Sequence, residues 1–163
     1  MELQGSCHCR AVRFHCKTHS PYPFMRCYCS ICRKTAGGGG YTINIMAVAD
    51  TLTVKGKEFI SIYQARLDPK DEHSEPSTTQ RLFCKNCGSF LWIFDSNWPD
   101  LIHPFASAID TPLPKPLETI HMMLNYAANW CDIPHGKHEI HYKEYPQLSI
   151  EEWHKQHKLW IKD

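Results

Sequence analysis

Apolar and polar positions alternate with a period of two along much of this chain, the signature of strands with one buried face. Val12, Phe14 and Cys16 alternate with Arg13 and His15, and Tyr41-Thr42-Ile43-Asn44-Ile45 alternates again. Residues 51–54 and 57–63 flank Lys55-Gly56, and a glycine there predicts a hairpin. Phe90-Leu91-Trp92-Ile93-Phe94 is apolar throughout, which predicts a central strand covered on both faces. Residues 80–83, 101–109, 119–124 and 138–142 complete a set of about eight strands. Residues 68–79 are polar and contain Pro69 and Pro76, so they predict a loop.

A helical period is confined to the C-terminus. Ser149-Ile150-Glu151-Glu152 reads as a capping box, with Ser149 as N-cap and Glu152 at the third helical position. Ile150, Trp153, His157 and Trp160 follow on one stripe, and Lys158 and Lys162 sit where a helix dipole favours positive charge. The expected fold class is mainly β, with antiparallel sheets and a short C-terminal α-helix. The chain has 163 residues and reads as a single domain, 1–163. Its motif-bearing core covers about 3–133, and the last strand and helix occupy 137–162.

Composition excludes several function classes. A formal net charge of +1 gives no global drive toward nucleic acid or an anionic membrane. No apolar run approaches the roughly 20 residues needed to span a bilayer. Residues 1–6 lack a basic-then-apolar leader, so a reducing, cytoplasmic location is expected. Nine cysteines, an odd number grouped in C-x-C and C-x-x-C pairs, fit metal binding better than a disulfide framework.

Cys27, Cys29 and Cys32 form C-x-C-x-x-C, followed by Arg33, Lys34 and the glycines 37–40. Cys7 and Cys9 lie two apart on an extended segment and therefore point to one side. Cys84 and Cys87 lie on a tight turn, where Gly88 permits positive φ beside a metal. Together these four supply a closed tetrahedron for a structural Zn²⁺, and the alternative is buried thiols packing as small hydrophobes. Three thiolates from one short loop leave a coordination position for water or substrate, as in catalytic zinc sites. A closed site completed by one of the eleven histidines is the competing reading. A thiol arriving at an open position would be deprotonated and ready to attack a carbonyl carbon. Arg33 and Lys34 are candidates for binding the carboxylates of an acidic thiol, against the alternative of solvated surface charge. The glycine run lacks the lysine and hydroxyl residue of a phosphate loop, which excludes a nucleotide reading.

The stretches Gly5-Ser6-Cys7-His8-Cys9-Arg10-Ala11-Val12-Arg13-Phe14, Cys27-Tyr28-Cys29-Ser30-Ile31-Cys32-Arg33-Lys34 and Phe83-Cys84-Lys85-Asn86-Cys87-Gly88-Ser89 resemble the glutathione-dependent formaldehyde-activating enzyme family. Relatives of centromere protein V belong to the same family. The resemblance implies a β-tent fold, a structural zinc on Cys7, Cys9, Cys84 and Cys87, and a catalytic-type zinc on Cys27, Cys29 and Cys32, hence two Zn²⁺ per chain. It further implies a carbon–sulfur lyase activity that reversibly joins a thiol such as glutathione to formaldehyde or a similar small carbonyl compound. The family commonly has histidine where this chain has Tyr28. Two rival readings are a zinc-stabilised binding module without catalysis and a thiol redox enzyme using Cys131.

Overall fold

The computed structural model describes residues 1–68 and 70–162. The larger sheet is antiparallel and has seven strands: β1 (Glu2–Ser6), β2 (Arg13–Ser20), β5 (Met46–Lys55), β9 (Leu101–Pro104), β8 (Phe90–Asp95), β7 (Pro76–Cys84) and β6 (Ile60–Arg66), in that spatial order. The smaller sheet runs β11 (Glu139–His141), β10 (Thr119–Met122), β3 (Met25–Cys27) and β4 (Thr42–Ile43). Two helices, α1 (Ser30–Thr35) and α2 (Ile150–Gln156), complete the regular structure with three short 3-10 turns. The fold is mainly β, as the alternation predicts. The smaller sheet is mixed, since β10 runs parallel to both β3 and β11. Among the described residues no helix is long and apolar enough to cross a membrane.

The period of two does its work in β2, where Phe14, Cys16, Thr18 and Ser20 are buried. Phe14 and Cys16 join Leu3, Val12, Ile45, Leu91, Trp92, Ile102 and Phe105 in the core of the large sheet. A second cluster, Phe24, Met25, Ile120 and Trp153, fixes α2 against the small sheet. Trp153 stacks on Phe24 with centroids 3.8 Å apart, and its indole donates to Glu118 at 2.7 Å. The capping box at Ser149 and Glu152 is formed as expected. The helix is shorter than the stripe suggests: Lys158 takes φ 58, so Trp160 lies beyond its end and stacks on His19.

Several boundaries differ from the sequence reading. Residues 51–63 do not form a hairpin. β5 pairs with β2 and β9, whereas β6 pairs with β7 at the far edge. Gly56 has φ 79, and a Cβ there would sit 1.9 Å from the Ala11 carbonyl oxygen, so this turn is pinned under the loop before β2. Four strand spacings of about 4.8 Å would put β6 about 19 Å from β5 in a flat sheet, more than the four residues 56–59 between them can span, three of them being in a 3-10 turn. The sheet is therefore strongly coiled, which brings β6 back toward the end of β5. The predicted strand 101–109 breaks after Pro104 into a 3-10 turn, Ala106–Ala108. The predicted loop 68–79 is shorter, because β7 begins at Pro76, at the end of the ladder where a missing N–H is tolerated.

Candidate metal centres

Coiling of the large sheet brings the end of β1 to the end of β7. Cys7, Cys9, Cys84 and Cys87 meet there, with all four sulfurs within 4.8 Å of one another. Cys7 and Cys9 sulfurs are 3.5 Å apart, and Cys9 and Cys84 sulfurs 3.8 Å. Four thiolates at 2.3 Å from a central zinc would have edges of about 3.8 Å, so the cluster has the size a tetrahedral metal requires. All nine cysteines are free thiols. The Val12 amide donates to Cys7 Sγ at 3.2 Å. The Ser89 hydroxyl lies 3.3 Å from Cys87 Sγ and accepts from the His8 amide. Hydrogen bonding from Ser89 pulls the Cys87 thiol down to about 5. These are donors aimed at negative sulfur.

The second cluster is local. Cys27 ends β3, Cys29 caps α1 and Cys32 lies on its first turn, with Cys29 Sγ accepting the Cys32 N–H at 3.3 Å. Sequence periodicity misses α1, because six residues carry too little pattern to register. Three thiols this close cannot ionise independently. Hydrogen bonds from Cys27 and Cys32 pull Cys29 down to about 2, while bonding to Cys29 pushes Cys27 far above its ordinary value. The Thr42 hydroxyl, directly across the ladder from Cys27, is buried without a hydrogen-bond partner. An unpartnered donor beside three sulfurs suits a charged, metal-loaded cluster. Among the described residues no fourth histidine, cysteine or carboxylate joins the three.

Beneath this loop lies a buried polar chain with no counterpart in the sequence reading. The Tyr28 hydroxyl bonds His121 Nδ1 at 2.8 Å, and His121 Nε2 bonds Glu139 at 2.5 Å. Burial holds His121 below the usual histidine range. The neutral ring thus donates Nε2–H to Glu139 and accepts from Tyr28. Arg26 lies over the Tyr41 ring, 4.7 Å from its centroid. The signal for this network was weak: a histidine inside an otherwise apolar strand, 119–124.

Other candidates fall into place around the clusters. Cys16 is core, its thiol pushed up to about 12 by burial. Cys131 joins neither cluster; its thiol donates to the Gly39 carbonyl at 3.3 Å. Gly40, at φ 87, packs so closely that a Cβ would lie 2.7 Å from Cys131 Sγ. Arg33 and Lys34 line a cleft of about 660 Å³ that also takes in Arg10, Gly37, Gly38 and Asp110. The Arg33 Nε–H donates to the Tyr126 carbonyl at 3.3 Å. Tyr126 and Trp130 are exposed, whereas Trp92 is core.

Comparison with known proteins bears on the family and the fold. A sequence model described as glutathione-dependent formaldehyde-activating enzyme matches residues 2–123. A Halomonas elongata protein, provisionally named a glutathione-dependent formaldehyde-activating enzyme, is 54% identical over 154 residues, covering 94% of this chain and 95% of its own. The crystal structure of a Rhodobacter sphaeroides protein superposes with a TM-score of 0.51 at 25% identity, covering 70% of this chain and 92% of that one.

Proposed function

This chain belongs to the glutathione-dependent formaldehyde-activating enzyme family, and on that premise we propose that it is a cytoplasmic zinc-dependent carbon–sulfur lyase. It would reversibly join a thiol such as glutathione to formaldehyde or a similar small carbonyl compound. The observation that carries the reading is the division of seven sulfurs into a cluster of four and a cluster of three, the latter without a fourth side-chain ligand among the described residues.

Cys7, Cys9, Cys84 and Cys87 would hold a structural zinc that ties the end of β1 to the end of β7. Metal binding there becomes folding free energy. Cys27, Cys29 and Cys32 would hold the second zinc. When bound there, a zinc would supply Lewis acidity that lowers the pKa of a substrate thiol toward neutral. In the reaction the sulfur lone pair attacks the carbonyl carbon, the C–S bond forms, and the carbonyl oxygen takes up the proton the thiol gave up.

The protein's own groups act by position. Tyr28, His121 and Glu139 fix the segment between Cys27 and Cys29 from below. Thr42, buried across the ladder from Cys27, would offer its hydroxyl proton to a charged Cys32 sulfur. Arg33 and Lys34 attract the carboxylates of the thiol, and the fixed geometry replaces a bimolecular encounter in solution.

The experiment is NMR exchange spectroscopy on glutathione and formaldehyde with the two-zinc protein. Adduct exchange faster than the uncatalysed reaction, and abolished in Cys29→Ser, is the expected result. Exchange at the uncatalysed rate would remove the lyase reading.

A further inference from the structure

Joining a sulfur to a carbonyl carbon requires a proton at the carbonyl oxygen as the bond forms. The Tyr28 and His121 side chains lie beneath the three-thiol loop but are sealed from solvent. Tyr145 is differently placed. Its side chain is 73% exposed, more than any other large apolar or aromatic side chain among the described residues. Among those residues its hydroxyl makes no hydrogen bond.

Backbone pairing carries Tyr145 toward the three-thiol centre. Cys27 lies opposite Met122 in the ladder of β3 and β10, and the Tyr28 N–H donates to the Met122 carbonyl at 3.0 Å. Past the end of β10, the Met123 N–H donates to the Glu144 carbonyl at 3.0 Å and the Asn125 N–H to the Lys143 carbonyl at 3.1 Å. The Glu144 carboxylate also accepts from the Asn125 side-chain amide at 2.6 Å. Residues 143 and 144 are thus tied to the segment that continues from the partner of Cys27. Tyr145 comes next, and Pro146 after it confines the Tyr145 backbone to extended conformations. The exposed ring is carried on a fixed backbone.

Its electrostatic surroundings agree with that path. Partial burial first, then the charges of Cys27, Cys29 and Cys32, hold its pKa above the ordinary tyrosine value. Three thiolates stay net negative with one divalent ion among them, so the phenol keeps its proton. A neutral phenol in the field of the three sulfurs, exposed and without a partner of its own, is a donor available to a bound substrate.

We propose that the Tyr145 hydroxyl donates a proton to the carbonyl oxygen of the second substrate at the three-thiol centre. The proposal rests on the lyase reading of that centre and assigns it a catalytic residue. As the C–S bond forms, the C=O double bond becomes a single bond and the phenol proton passes to its oxygen. The proton given up by the thiol restores the phenol. In the reverse direction the phenolate takes the hydroxyl proton, the C=O double bond re-forms and the C–S bond breaks.

The test compares Tyr145→Phe with the unaltered two-zinc protein. Phenylalanine keeps the ring, and at so exposed a position it should leave folding intact. NMR exchange on glutathione and formaldehyde should show the maximal rate lowered about a hundredfold, or to the uncatalysed rate where that is nearer. The half-saturating glutathione concentration should change by less than about twofold, because the hydroxyl serves the carbonyl and not the thiol. A second measurement needs no turnover. In protein carrying carbon-13-labelled tyrosine rings, the signal missing from Tyr145→Phe belongs to Tyr145. Filling the three-thiol centre with zinc should shift that signal in the unaltered protein and leave it in place in Cys29→Ser. An unchanged rate in Tyr145→Phe, a loss of glutathione affinity in place of rate, or a Tyr145 signal indifferent to the second zinc would each overturn the proposal and leave the lyase reading standing. Exchange at the uncatalysed rate by the unaltered protein would overturn both.

Discussion

Tyr28 and His121, 93 positions apart in the chain, share a 2.8 Å hydrogen bond at sites with no solvent exposure. Tyr28 lies between two cysteines of the three-thiol cluster, so this bond joins the candidate metal loop to the small sheet. Tyr28→Phe would keep the ring and remove the donor, leaving His121 Nδ1 buried and unpaired. Loss of about 1–3 kcal/mol of stability is expected. Denaturant unfolding measures it, and elemental analysis should show the second zinc more easily stripped than in the unaltered protein.

The two clusters should separate in their effects. Cys84→Ser removes one of four ligands from the staple that closes the sheet, and several kcal/mol of stability should go with it. Cys29→Ser should lower the zinc count by one and abolish thiol chemistry while the melting temperature moves little. Zinc per chain and thermal unfolding on the same samples decide this. Equal destabilisation by both variants would contradict the division of roles.

Gly56 cannot be replaced without moving backbone. Its φ is 79 and a Cβ would fall 1.9 Å from the Ala11 carbonyl oxygen. Gly56→Ala should destabilise by about 1–3 kcal/mol through strain alone. Gly38→Ala, at a position with nothing within 4 Å, should be nearly neutral and serves as the control in the same chemical denaturation series.

Trp153 anchors α2 through its stack on Phe24 and its bond to Glu118. Trp153→Ala should cost about 3–5 kcal/mol. Hydrogen exchange in α2 and β10 should rise, while the four-thiol end of the large sheet stays protected.

His154 is buried beside Trp153, with Nδ1 bonded to the Ile150 carbonyl and Nε2 accepting the Tyr22 amide. Burial holds its pKa below the ordinary value. The unfolded chain therefore binds the proton more readily than the folded one. The stability His154 contributes is complete above about pH 6.5 and is lost as pH falls from there through its lowered folded value. Comparing melting temperatures of the unaltered protein and His154→Gln from pH 7 to 5, with zinc present, should show a gap that narrows toward acid. A constant gap would refute this assignment.

The legible parts of this protein are those whose partners are close in sequence or fixed by ligand chemistry. Cys27, Cys29 and Cys32 sit on one short loop, so their spacing alone brings their sulfurs together. Cys7 with Cys9 and Cys84 with Cys87 are each local pairs, and the valence of a tetrahedral site suggested joining them. The capping box at Ser149 and Glu152 needed only four consecutive residues. The hairpin expected at 51–63 failed because a strand's period of two says which face is buried and nothing about which neighbour takes its edge.

By itself the sequence determined a mainly β chain with one C-terminal helix and two sets of thiols, because periodicity and ligand spacing are properties of contiguous residues. Tertiary structure alone decided that β6 crosses to the far edge of a coiled sheet, that Tyr28, His121 and Glu139 form one buried chain, and that Arg10 shares a cleft with Arg33. Those contacts join residues far apart in sequence, selected by the shape and packing of the whole core, and no local pattern encodes them.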